Sequence, residues 1–191
     1  MSVHDRERWD AKYAERPLPE VLVPDPWLER HASALPPGRA LDLACGLGQN
    51  AVWLARQGWR VDGIDISPRG LALAQQLAAR EQQVVNWQVG DLDEFSPEPE
   101  AYDLVLVFRF LERQRLPGVI EAALAPGGCL VYETFLRGTG SGGHAPFQNP
   151  EWLLMPGELP GLFPHFEVVE SVEQEIAAGP VARYCGRKRS R

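Results

Sequence analysis

The chain has 191 residues, 45% of them hydrophobic and 24% charged, with a formal net charge of -7. That length and balance predict one globular domain with a sizeable core, and the acidic excess opposes general binding to a nucleic-acid backbone. No apolar run is long enough to span a bilayer, and "MSVHDRERWD" is charged where a signal peptide would be apolar, so a cytoplasmic location with no membrane partner is expected.

In chain order, "HDRERWDAKYAE" predicts an N-terminal helix with Trp9 and Tyr13 spaced four apart on one face. Such a helix either packs on the domain or closes over a ligand. In "DPWLERHASAL", Asp25 is a cap and Pro26 sits in the first turn of a second helix. "RALDLAC" is an apolar strand running into Gly46 and Gly48, and the helix after it buries Val52, Leu54 and Ala55. "RVDGIDI" is a second strand, after which Ser67 caps and Pro68 opens a third helix.

"VVNWQVGD" and "YDLVLVFRF" continue as strands, "LPGVIEAAL" as a short helix, "APGG" as a turn and "CLVYETF" as a further strand. This alternation predicts an α/β fold, a mostly parallel, doubly wound sheet with helices on both faces. "LLMPGEL" starts a helix whose Leu159 and Leu162 pack inward. "PHFEVVESVEQE" and "VARYCGRK", joined by "IAAGP" without a helix, predict an antiparallel terminal hairpin at a sheet edge. The basic tail "GRKRSR" reads as a solvated end. Cys45, Cys129 and Cys185 lie far apart with no C-x-x-C pair, which argues against a metal site or a disulfide framework.

Gly46 to Ala51 satisfies the G-x-G-x-x-G/A dinucleotide pattern and equally the looser loop of an adenosine-type cofactor. Ligands of open parallel sheets sit outside the carboxyl ends of the strands, and those ends are acidic here: Asp42, Asp65 and Asp91. Asp42 would repel a diphosphate at the first turn. S-adenosylmethionine instead brings a sulfonium, an ammonium and a ribose, all suited to acidic partners. Asp65 is placed for ribose hydroxyls with either cofactor, whereas Asp91 and the amide of Leu92 suit an adenine. The loop amides at the helix start suit a small carboxylate.

"LDLACGLGQNAVWLA", "VDGIDIS", "GDLDEF", "YDLVLV" and "LAPGGCLVYET", spanning residues 39 to 135, resemble the ordered motif series of class I S-adenosylmethionine-dependent methyltransferases. The C-G-x-G-x-N loop and "FLERQRLPGVI" are similar to the tellurite-resistance branch of that family. The resemblance implies a Rossmann-like sheet of seven strands with a reversed last strand. It also implies a cofactor set of Asp42, Ala44, Cys45, Gly46, Gly48, Asn50, Asp65, Ile66, Asp91, Leu92 and Phe108. A single methyltransferase domain over 1–191 is expected, with 1–38 as a helical cap, 39–135 as the cofactor-binding core, and 136–191 as the acceptor-side loop and hairpin. One departure stands out: Ala44 occupies the first glycine of D-x-G-x-G-x-G. Alanine reaches positive φ only at a cost, so ordinary backbone and retained affinity are expected there.

Methyl transfer to a small-molecule acceptor, a thiol or chalcogen by the tellurite resemblance, needs alignment and exclusion of water more than a dedicated base. Candidates at the fourth and fifth strand ends are Arg109, for an anionic substrate, and Tyr132 or Glu133, which point to opposite faces. His144 in a glycine-rich loop is a candidate base or lid contact, and Cys45 is read as a packing residue near the cofactor. "NPEW" at Asn149 to Trp152 resembles the N-P-P-Y/F/W signature of amino methyltransferases but follows the fifth strand rather than the fourth. Two alternatives stay open. One is a cofactor-binding module without turnover. The other is a dinucleotide oxidoreductase, disfavoured because the only lysines, Lys12 and Lys188, leave no Tyr-x-x-x-Lys pair.

Overall fold

The computed structural model describes residues 3–138 and 149–190. Among them, strands β1 (Arg39–Leu43), β2 (Arg60–Asp65), β3 (Asn86–Val89), β4 (Tyr102–Phe108), β5 (Leu124–Phe135), β6 (Phe166–Ile176) and β7 (Gly179–Lys188) form one sheet. Its order is β3-β2-β1-β4-β5-β7-β6. Pairings from β3 to β5 are parallel, and β7 runs antiparallel to both β5 and β6. The expected terminal hairpin is therefore the reversed edge of the sheet, closed by a two-residue turn at Ala177 and Ala178. Strand order switches direction between β1 and β4, so a crevice opens at their carboxyl ends.

Helices α2 (Pro26–Ala32), α3 (Gln49–Arg56) and α4 (Pro68–Arg80) cover one face; α5 (Leu116–Ala123) and α6 (Glu158–Gly161) cover the other. Strand alternation feeds both cores: Leu104 and Leu106 of β4 pack with Val52, Leu54 and Leu77, while Val105 and Val107 pack with Ile120 and Leu159. Each such side chain contributes about 1.5–3 kcal/mol on burial, so β4 is a central girder with apolar support on both sides. Among the described residues, no helix is long and apolar enough to cross a membrane.

The predicted caps hold. Asp25 Oδ1 accepts from the Trp27 amide at 2.9 Å, and Ser67 Oγ accepts from the Gly70 amide at 3.0 Å, each ahead of a first-turn proline. Ser67 Oγ in turn donates to Asp10 of the N-terminal helix α1 (Val3–Ala14), and Asp10 also accepts from the Arg69 amide. One cap thus starts α4 and moors α1 on it. Trp9 and Tyr13 stack at 5.6 Å, as their spacing implies.

Two expectations need correction. The "APGG" turn is a bulged entry to β5, which pairs already from Leu124; the register slips before Cys129 as the chain passes through Gly127 at φ +82°. Ala44 does not have ordinary backbone: its φ is +58°. The surrounding hydrogen bonds override its preference. The Cys45 amide donates to the Ile64 carbonyl, the Gly46 amide to Asp65 Oδ2, and the Gly48 amide to the Cys45 carbonyl. Holding that turn costs the alanine about 1–2 kcal/mol of left-handed strain.

Ser67→Ala is expected to lower unfolding free energy by about 0.5–2 kcal/mol, near the upper end because the Asp10 contact goes as well; urea denaturation checks it. Ala44→Gly relieves strain but adds freedom to the unfolded chain, so a net gain of up to about 1 kcal/mol is expected in the same measurement.

Candidate active site

The carboxyl ends of β1 and β2 carry two buried carboxylates. Asp42 is 2% exposed and its Oδ2 has no hydrogen-bond partner. Burial pushes its carboxyl well above the usual range, and the neighbouring Asp65 adds to the effect. Asp65 has both oxygens oriented by backbone, Oδ2 by the Gly46 amide at 2.8 Å and Oδ1 by the Ser67 amide at 2.9 Å. Burial raises its carboxyl too, and those two amides pull it back. Cys45 lies between them, and burial with the two carboxylates pushes its thiol well up, so it stays protonated.

The glycines have distinct tasks. Gly46 has φ +55°, and a Cβ there would come within 2.7 Å of the Tyr13 hydroxyl; Gly48 has φ +70°, and a Cβ there would strike the Trp87 ring at 2.5 Å. Gly46 admits α1 to the loop, and Gly48 lets α3 pack on the sheet. Asn50 Oδ1 accepts from the Asp25 amide at 2.9 Å, which ties the loop helix to the start of α2.

These groups floor a cavity of about 600 Å³, within the range of small-molecule sites of roughly 300–1,000 Å³. Ala44, Ile66, Leu92 and Phe108 stand in its wall. Asp91 stands outside it, where its Oδ1 accepts from the Asp93 amide. The roof is α1, which contributes Trp9, Lys12 and Tyr13, with Arg16 just beyond its end. The Lys12 ammonium lies 4.4 Å from the Trp9 ring centroid; burial lowers its proton affinity, and Arg16 and Arg8 reinforce the shift. Burial likewise pushes the Tyr13 phenol far up. The floor is acidic and the roof basic.

The lining is completed by the segment from Val23 to Pro26, by Arg109 and Phe110 after β4, by Phe135, and by Ala178 in the β6–β7 turn. Arg109 has φ +58°, and its amide donates to the Glu133 carbonyl at 2.8 Å. Its guanidinium, 55% exposed, lies 3.8 Å from Asp25 Oδ2 and 3.9 Å from Glu133 Oε1. Glu133 is wholly buried, its Oε2 accepts from Arg183 Nε at 2.7 Å, and its Oε1 has no hydrogen-bond partner. Burial, and after it the charge of Asp25, pushes the Glu133 carboxyl up.

Of the catalytic candidates, Arg109 lines the cavity, whereas Glu133 does not and meets it only through the Arg109 guanidinium at 3.9 Å. Tyr132 points to the opposite core and donates to the Phe110 carbonyl at 2.8 Å. His144 lies outside the described residues. Asn149 caps a short 3-10 turn, and Trp152 in that turn lies 4.3 Å from the Arg8 guanidinium. Together with Arg8 and Trp9, Trp152 lines a smaller cavity of about 170 Å³ that shares Arg109 and Phe110 with the larger one. Sequence reasoning missed Lys12, Arg16 and the cavity-facing role of Asp25. The spacing of Arg8, Lys12 and Arg16 at four-residue steps was the available signal for the first two.

The methyltransferase domain family matches residues 40–128 of this chain. A ubiquinone biosynthesis O-methyltransferase of Burkholderia lata is 33% identical over 135 residues, 68% of this chain and 58% of the relative. The chain spans between 21% and 58% of the length of the curated relatives it matches. TehB from Haemophilus influenzae shares the fold with a TM-score of 0.69 at 20% identity, over 85% of this chain and 61% of that one. A structure described for the conversion of a disulfide bond into a thioacetal group during echinomycin biosynthesis aligns with a TM-score of 0.76 at 19% identity, over 97% and 92%. The domain match over residues 40–128, the motif order and the shared fold together support a class I S-adenosylmethionine-dependent methyltransferase.

Proposed function

We propose that the protein transfers the methyl group of S-adenosylmethionine to a small-molecule acceptor, with a thiol or other chalcogen as the attacking atom. The observation that carries this reading is the pair of buried carboxylates at the ends of β1 and β2, one of them with an orphaned oxygen. A buried carboxylate without a partner is costly and fits a cationic or hydroxyl-bearing ligand group. A diphosphate at the same spot would meet two negative charges, which disfavours the dinucleotide alternative.

The residues present fit this cofactor. Asp65 is oriented to accept from ribose hydroxyls, and Asp42 would take the ammonium group. The amides at the start of α3, with Lys12 and Arg16 above them, would face the carboxylate. Ile66, Leu92 and Phe108 would wall the adenine end, with Asp91 left outside the cavity. When bound, the cofactor supplies a methyl group on a sulfonium, already activated for in-line displacement.

The chain's own task is alignment and exclusion of water. Trp9 and Tyr13 roof the cavity, and the Ser67–Asp10 contact keeps that roof moored. We assign residues 1–38 to the cap, 39–135 to cofactor binding and 136–191 to the acceptor side, within a single methyltransferase domain. The tellurite-branch resemblance and the sulfur chemistry of the echinomycin-pathway structure support a soft nucleophile. The net charge of -7 supports a small acceptor over a nucleic acid.

Calorimetric titration with S-adenosylmethionine, S-adenosylhomocysteine and NADH tests the reading: the first two are expected to bind and the third not. Asp65→Ala is expected to weaken cofactor binding on the order of 100-fold, through lost charge-assisted hydrogen bonds; unchanged affinity would overturn the assignment. Asp42 gives a pH test. Its folded carboxyl is raised above the unfolded one, so folding takes up a proton and stability falls as pH climbs between the two values. Without ligand, Asp42→Asn is expected to melt higher than the parent at neutral and alkaline pH, with the gap closing towards pH 4, and to bind cofactor poorly.

A further inference from the structure

Beside the start of α3 the cavity carries a second charge cluster, built on Asp25, Arg109 and Glu133 rather than on Asp42 and Asp65. Asp25 is fixed there from two sides: its amide donates to Asn50 of α3, and its Oδ1 caps α2. Its carboxylate is therefore held in register with the cofactor loop, while Oδ2 faces the cavity and Arg109. Behind it lies Glu133, wholly buried, with Oε1 unpartnered and Oε2 tied to Arg183. One guanidinium, Arg109, spans both carboxylates at 3.8 and 3.9 Å, beyond hydrogen-bond length. Arg183 answers the far oxygen of Glu133, and neither Asp25 Oδ2 nor Glu133 Oε1 receives a hydrogen bond from Arg109 at these distances.

We propose that Asp25 is the proton acceptor for the attacking atom, and that the acceptor is a nucleophile delivered with its proton on, namely a neutral aliphatic thiol. This rests on the methyl-transfer reading above. Only a few per cent of such a thiol is ionised at neutral pH, its pKa being about 8.5, so a base beside it raises the reactive fraction. The electrons of the S–H bond form the new S–CH₃ bond, the methyl–sulfonium bond breaks with its pair returning to the cofactor sulfur, and the proton passes to Asp25 Oδ2. Atoms and charge balance, since one sulfonium and one carboxylate are both neutralised. Arg109 and Glu133 are positioning residues, holding the Asp25 carboxylate towards the cavity.

The test uses Asp25→Asn, whose side-chain oxygen still caps α2, with Asp25→Ser as a second capping variant should the first fail to fold. Cofactor affinity by calorimetry is expected to stay at the parent value. Turnover of an aliphatic thiol at neutral pH is expected to fall about 100-fold or more, and to recover as pH rises and the thiol ionises. Turnover of an aryl thiol already ionised at the assay pH is expected to stay nearly unchanged. Equal loss with both thiols, or no loss with the aliphatic one, would overturn the proposal, as would a parent protein that binds cofactor and methylates neither thiol. Failure of the parent protein to bind S-adenosylmethionine would overturn the methyl-transfer reading itself.

Discussion

The structure depends on one short turn that aims backbone amides at buried negative charge. Adjacent parallel pairing sets Asp42 opposite Gly63 and Leu43 opposite Ile64, so β1 and β2 end nearly level. The chain must then leave β1 sharply enough for the Gly46 amide to reach Asp65. Ala44 absorbs that demand with a left-handed backbone, and the desolvated Asp42 carboxylate sits at the same place. Strain and buried charge concentrated on one loop are tolerated because both faces of the sheet beneath it are densely packed.

Much of this architecture was legible in the sequence. The β-strands of the parallel half are apolar runs because both faces are covered, and their helices begin at Asp25-Pro26 and Ser67-Pro68, where side-chain caps meet first-turn prolines. The terminal hairpin could be read from the absence of a helix between two extended runs. The acidic strand ends could be read too, since topology alone puts β1 and β2 ends at the crevice. What escaped was set by tertiary contacts. Ala44 looks ordinary by intrinsic preference, and only the hydrogen bonds around it explain its φ. Pro126-Gly127-Gly128 has the composition of a turn, and only pairing with β4 makes it a bulge. Asp25 announced itself as a cap; that its second oxygen faces a cavity depends on Arg109 and Glu133, more than 80 residues away in sequence.

Charge in the cavity is laid out by element rather than scattered. The sheet supplies carboxylates; α1 supplies Lys12, and the segment just after it supplies Arg16. Lys12 and Arg16 repel one another, and the acidic floor below them offsets that repulsion. A ligand that is cationic at one end and anionic at the other matches such a field in one orientation, so the cavity discriminates by polarity as well as by shape.

The reversed edge of the sheet brings the turn between β6 and β7 to the cavity, where Ala178 forms part of its wall. That turn is two residues long and, among the described residues, shares no hydrogen bond with the glycine loop. Length changes there would reshape that wall while leaving in place the hydrogen bonds that fix Gly46, Asp65 and Ser67. One wall of the cavity can thus change shape independently of the turn that carries the buried carboxylates.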